Sequence, residues 1–251
     1  MEILTFDIQG KFAHFRKFYT NSSALSYFIP PRTTIIGIIA AILGRERDEY
    51  YEEFSSDLCK IGVKVNNKIK KATQRLNYLK IENKSDLNGS KGRTQVPFEI
   101  VMPENIKKSY VSYKIFFWHN DAKLLQELYN RIKTKRYHYP ITLGTANFTA
   151  FINNERLITS NELTETENLD SFIEVNSALN LDKISDFNFS DGHKNILITE
   201  KIPLAFNKDR ELINHAEIIF SINNQPINVR LKIPHYSLKI GDETINMVFM
   251  E

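Results

Sequence analysis

The residues best suited to chemistry follow the first apolar stretch. Lys11-Phe12-Ala13-His14-Phe15-Arg16-Lys17, with Tyr19 close behind, interleaves cations with aromatic rings. Cations hold phosphates and rings stack on bases, so the pattern suits a single-stranded nucleic acid. A plainer assignment also fits, with Phe12 and Phe15 in a core and Arg16 solvated. A second run, Lys133-Thr134-Lys135-Arg136-Tyr137-His138-Tyr139, follows a helical stretch, where Lys and Arg also complement a helix C-terminus. His, Tyr and Lys can cleave RNA without a metal when a general base and a general acid are placed together. No spacing here singles out such a set.

Other chemistries have no signature. There is no phosphate-cradling Walker loop, no Gly-x-Gly-x-x-Gly and no nucleophile elbow. The six histidines (His14, His119, His138, His193, His215 and His235) include no i, i+4 pair, and Cys59 is the lone cysteine. That excludes a disulfide framework and a Cys-cluster metal site, and makes a reducing, cytoplasmic location the default. We expect no metal and no cofactor. The longest apolar run, Ile35 to Leu43, has nine residues, against about 20 for a membrane-spanning helix. Met1 to Lys11 lacks the basic-then-apolar order of a secretory signal. We therefore expect a soluble protein without a membrane partner.

The formal net charge of the 251 residues is only +3, but the charge is segregated. Lys60 to Arg93 carries ten basic residues against two acidic ones, and Asn154 to Asp191 nine acidic against two basic. The basic stretch includes Lys68, Lys70, Lys71, Lys91 and Arg93, and it turns at Asn88-Gly89-Ser90-Lys91-Gly92. It reads either as a loop that tracks a phosphate backbone or as a solvated surface insertion. Its polar sequence predicts an extended or hairpin-like thumb, mobile until it meets RNA.

These residues need elements to hold them. Glu2 to Ile8 alternates as a half-buried strand should. A long polar-aromatic loop runs to Pro30-Pro31. Thr33 or Thr34 then caps a buried helix over Ile35 to Leu43, stopped by Gly44. Asp48 to Asp57 reads as a second short helix and Ile61 to Val65 as a strand. Gln95 to Met102 and Tyr110 to Phe117 are strand-like. Asp121 to Lys133 is an amphipathic helix with Leu124, Leu125, Leu128 and Ile132 as its stripe, and Phe148 to Ile152 is a strand. This order predicts an α+β, ferredoxin-like domain over residues 1–153, with the basic thumb at about 64–93 between its second and third strands. One sheet face is then covered by helices, and the other is free for RNA or further strands. An acidic connecting segment (154–191) leads to a smaller β-rich part (192–251). There, strands are expected over Ile196 to Ile202, Ile213 to Ile222, Ile227 to Ile233 and Thr244 to Met250.

The sequence also resembles a known family. Gly10 to Lys17, Ser26-Tyr27-Phe28-Ile29-Pro30-Pro31-Arg32-Thr33-Thr34-Ile35-Ile36-Gly37 and Ile42-Leu43-Gly44 look like the N-terminal signature of the Cas-five family. These proteins are RAMP-superfamily subunits of type I CRISPR effector (Cascade) complexes. Arg93-Thr94-Gln95-Val96-Pro97-Phe98-Glu99-Ile100 and Tyr139-Pro140-Ile141-Thr142-Leu143-Gly144-Thr145-Ala146-Asn147-Phe148 look like the same family, most similar to type I-B members.

The resemblance implies a RAMP (RRM-like) domain with a basic thumb. It implies a non-catalytic, antiviral subunit that holds the 5′ handle of crRNA and caps the backbone of the complex. The implied neighbours are backbone RAMP subunits, the large subunit, and target DNA near the protospacer-adjacent motif. The RNA-binding residues are then expected to be Lys11, His14, Phe15, Arg16, Lys17, Tyr19, Arg32, Lys68, Lys70, Lys71, Lys91, Arg93, Arg136 and His138. The alternative is a metal-independent endoribonuclease that processes pre-crRNA. The Tyr, Lys and His set of the branch that cleaves does not match here residue by residue.

Overall fold

The computed structural model describes residues 1–21, 23–167, 169–189 and 195–251. His193 and the boundary expected at 191/192 lie outside the described residues. In chain order the first part holds β1 (Ile3–Gly10), the two-residue strands β2 (Phe15–Arg16) and β3 (Ser26–Tyr27), and α1 (Arg32–Leu43). β4 (Cys59–Val65), β5 (Ile69–Leu79), β6 (Arg93–Pro103), β7 (Val111–His119), α2 (Ala122–Lys133) and β8 (Phe151–Ile158) follow.

β4, β7, β1 and β8 form an antiparallel sheet in that order. This is the ferredoxin-like arrangement, with α1 and α2 as its two crossovers. Strand alternation sorts the side chains between the faces. Leu4, Phe6 and Ile8 join Ile61, Val63, Ile115 and Phe117 in the core under the helices. Ile3, Phe116 and Ile158 point the other way, against Leu238, Ile245 and Met247.

α1 is apolar on nearly every side because it is covered on nearly every side: sheet residues and the strand residues Ile202, Leu204, Ala216 and Ile218 share its core. It begins at Arg32, earlier than the threonines suggested. Pro31 is its cap residue, and the Pro31 carbonyl accepts from the N–H groups of Thr34 and Ile35. Neither threonine caps it. Gly44 ends it at φ +77°, donating to the Ala40 carbonyl. Asp121 caps α2 through the N–H groups of Lys123 and Leu124. The helix expected over Asp48 to Asp57 is a run of turns: Asp48 takes φ +67°, which a helix does not tolerate.

The basic segment is a regular hairpin. β5 and β6 pair over eleven positions, from Ile69 opposite Pro103 to Leu79 opposite Arg93. The insertion therefore runs from Asn66 to Tyr110, and the expected limits of 64–93 cut through it. Its inner half is anchored by Ile69, Phe98, Ile100, Val101 and Met102, all buried. Beyond Leu76 both strands are largely exposed.

The acidic segment is also structural. It contains most of β8, the fourth strand of the main sheet, followed by β9 (Leu163–Thr166), β10 (Ile173–Val175), β11 (Leu179–Asn180) and β12 (Ile184–Phe187). β13 (Leu197–Phe206), β14 (Leu212–Ser221), β15 (Ile227–Leu231), β16 (His235–Ile240) and β17 (Glu243–Met247) complete the chain. They form three small sheets, β10-β15-β12, β11-β14-β13 and β17-β16-β9. β13 and β14 share the main core, while β10, β12 and β15 enclose a smaller core of their own around Val175, Ile184, Ile227, Val229 and Leu231.

Candidate nucleic-acid interface

The loop between β1 and α1 is short of regular structure, yet it is tightly held. Two of its residues bond the free edge of β6: Ala13 and Val101 exchange two hydrogen bonds, and Ala24 bonds Pro97 and Glu99. His14 is the hub. Its Nδ1 lies 2.7 Å from the Glu99 carbonyl, so that nitrogen carries the proton and donates. Its ring stacks on Phe98 at 4.0 Å, and its backbone N–H donates to Leu143. Only 3% of it is exposed. Burial holds its pKa below the ordinary value, partly offset by the Glu99 hydrogen bond.

Three expected RNA contacts are therefore corrected. His14 and Phe15 are buried, and Phe15 packs edge-on against Tyr113. Arg32 is the third, only 1% exposed. Its guanidinium donates to the carbonyls of Leu204, Phe54 and Cys59 and pairs with the Glu251 carboxylate. Glu251 in turn accepts from the Ile61 N–H. A buried cation needs such full satisfaction, so Arg32 is an internal tie between α1, β4 and β13.

Two further cations are internal as well. Glu200 projects inward from β13, 6% exposed, and accepts from the Phe28 N–H. Lys17 lies 2.9 Å and Lys71 3.3 Å from it. Lys71 also reaches Glu99 at 3.4 Å and lies over the Phe28 ring. Desolvation lowers the Lys17 pKa, but the hydrogen bond and charge of Glu200, with Tyr19, together outweigh it and leave it above the ordinary value. Glu99 and Glu200 thus lock β3, β5, β6 and β13 together. Both were missed in the sequence. The signal for Glu200 was present: it alternates with Ile198, Ile202 and Leu204 on the buried side of its strand.

What remains at the surface is a smaller set. Lys68 pairs with Glu104 at 2.6 Å, and Lys91 with Glu82 and Asp86 at 2.8 and 3.3 Å. Arg16, Lys70, Arg75, Lys84 and Arg93 are exposed, with no acidic partner within 4 Å among the described residues. Arg75 and Arg93 share one face of the hairpin, whereas Lys70 lies on the other. Tyr19 is half exposed, near Lys17. Lys11 lies exposed over Tyr110, 4.3 Å from its ring. Arg136 and His138 are elsewhere: the Arg136 N–H donates to Arg131 just past the end of α2, and His138 lies at the C-terminal end of α1. The His138 N–H donates to Ile42, and its ring lies against Gly44. The plainer reading of that run holds for α2, whose last turn carries Arg131 and Lys133. Among the described residues no three His, Cys, Asp or Glu side chains converge as metal ligands. No helix among them is long and apolar enough to cross a membrane.

A ferredoxin-like sheet with a basic hairpin between its second and third strands, and a pinned loop after its first, defines a RAMP-type α+β protein. Comparison with known proteins gives the family. A model described as "CRISPR-associated protein (Cas_Cas5)" matches residues 3–207, and the chain belongs to that family. Among solved structures, a CRISPR protein from Archaeoglobus fulgidus is similar over 98% of this chain and 99% of its own, at 14% identity and a TM-score of 0.57. At that identity the likeness is one of fold. A chain described as "CRISPR RNA-guided surveillance complex" is similar over 89% of this chain and 91% of its own, at 10% identity and a TM-score of 0.48. No curated protein sequence matches this chain.

Proposed function

We propose that the chain is a non-catalytic crRNA-binding subunit of a type I CRISPR interference complex, of the I-B kind. It holds the 5′ handle of the crRNA and caps one end of the complex backbone. Its neighbours are backbone RAMP subunits and the large subunit, with target DNA near the protospacer-adjacent motif. Family membership supports this reading. The observation that carries it is the division among the cations. Lys17, Lys71 and Arg32 are neutralised internally, while Arg16, Arg75 and Arg93 stand exposed without acidic partners among the described residues. Exposed, unneutralised arginines on a loop and a protruding hairpin suit a phosphate backbone and position it without reading sequence.

The test is incubation of the purified chain with a repeat RNA in EDTA. Binding without cleavage is expected, weakening as salt rises with a slope near −0.7 per phosphate neutralised. A discrete, multiple-turnover cut inside the repeat would make the chain a processing endoribonuclease instead.

A further inference from the structure

The sheet face turned away from α1 and α2 is only half covered. β16 and β17 close the end around Ile3, Phe116 and Ile158. At the other end, Gln9 stands between Ser112 and Phe151 in register, with its amide 3.2 Å from the Ser112 hydroxyl. One step further out, Tyr110 and Phe151 meet edge to face at 5.1 Å, 41% and 37% exposed. They flank a cavity of about 140 Å³ that also touches Gly10 and Lys11. Lys11 lies over Tyr110 and is held there by the Ile106 carbonyl. Lys107 and Lys108 follow on the same turn. None of these three lysines has an acidic partner within 4 Å among the described residues.

Two exposed rings on a sheet face, ringed by unneutralised cations and backed by an amide, have the chemistry of a base-stacking surface. A protein partner would more often meet an apolar core with few lysines. We propose that Tyr110 and Phe151 form a platform on which one or two unpaired nucleotides of the bound RNA stack, with Lys11, Lys107 and Lys108 on the flanking phosphates. The platform lies apart from the hairpin arginines. It rests on the reading of the chain as an RNA-binding subunit.

The test uses the full chain and a short single-stranded oligouridylate carrying one 2-aminopurine, moved along the RNA in successive probes. In the wild type, fluorescence quenching is expected at one or two adjacent positions. Tyr110→Leu with Phe151→Leu should abolish that quenching and weaken binding about 5- to 100-fold, whereas Tyr110→Phe should retain both. Arg75→Ala with Arg93→Ala should weaken binding yet keep the quenching. If the leucine pair binds and quenches as the wild type does, the platform is wrong while the RNA-binding reading stands. The same holds if the pair loses only assembly with a protein subunit. If the wild type binds no RNA at all, the underlying reading fails and the platform fails with it.

Discussion

Gly144 lies directly against the backbone of His14. Its φ is +96°, and a Cβ placed on it would stand 1.8 Å from the His14 carbonyl oxygen. Glycine is therefore required there twice, by conformation and by space. Gly144→Ala should destabilise the protein by about 1–3 kcal/mol or more, read as a lowered urea midpoint. An unchanged midpoint would mean that the loop after β1 does not rest on this contact.

The same histidine makes stability depend on pH. Burial lowers its pKa in the folded state, and His235 is lowered by burial too. The unfolded chain thus binds these protons more readily. Their contribution is complete above the unfolded value of about 6.5 and is lost as pH falls below it. Urea midpoints should drop between about pH 7.5 and pH 5.5. His14→Asn, whose amide can also donate to the Glu99 carbonyl, should remove part of that drop. A variant with the full wild-type drop would exclude His14 as its source.

Removing one member of the Arg32–Glu251 pair leaves a buried charge alone. Arg32→Met or Glu251→Gln should each cost about 3–5 kcal/mol. Arg32→Met combined with Glu251→Gln should cost less than the sum of the two single changes. Chemical denaturation of the three variants gives the comparison. Strict additivity would mean that the two side chains do not act as a unit.

The hairpin divides into an anchored and a free half. Deleting all of it would strip Glu200 of Lys71 and remove Ile69, whose N–H donates to the Ile222 carbonyl. Replacing only Asn77 to Gln95 with an Asn-Gly turn between Leu76 and Val96 preserves those contacts and the pairing register. The trimmed protein should fold with wild-type stability and bind RNA more weakly. Triple replacement of Arg16, Arg75 and Arg93 by Ala should flatten the salt dependence by up to about 2 in slope. Wild-type binding by both variants would move the RNA site off the hairpin.

The sheet was legible because its strands carry their own pattern: Leu4, Phe6 and Ile8 alternate, and α2 shows its stripe outright. β5 was not, because Lys70-Lys71-Ala72-Thr73-Gln74-Arg75 has no apolar alternation and owes its strand form to pairing with β6. The acidic segment was misread for a related reason. Strand β8, with Asn153, Asn154, Glu155 and Arg156, is an edge strand and needs little apolar sequence. At the site, composition found the cationic stretches but not which cations are neutralised. That depends on Glu99, Glu200 and Glu251, carboxylates 28 to 219 residues from the cations they meet, and spacing along the chain does not encode such pairings.

The tie between Arg32 and Glu251 spans 219 residues, and this sets an order of events during synthesis. Helix α1 leaves the ribosome well before Glu251, so the guanidinium at its start lacks that counter-ion until β17 and the residues after it have been made. Strands β13 and β14, which cover the helix, arrive late as well. The nascent N-terminal sheet must therefore wait with an apolar helix incompletely covered. Such exposure favours aggregation and chaperone capture, so slow translation through residues 44 to 200 is a vulnerability built into the topology.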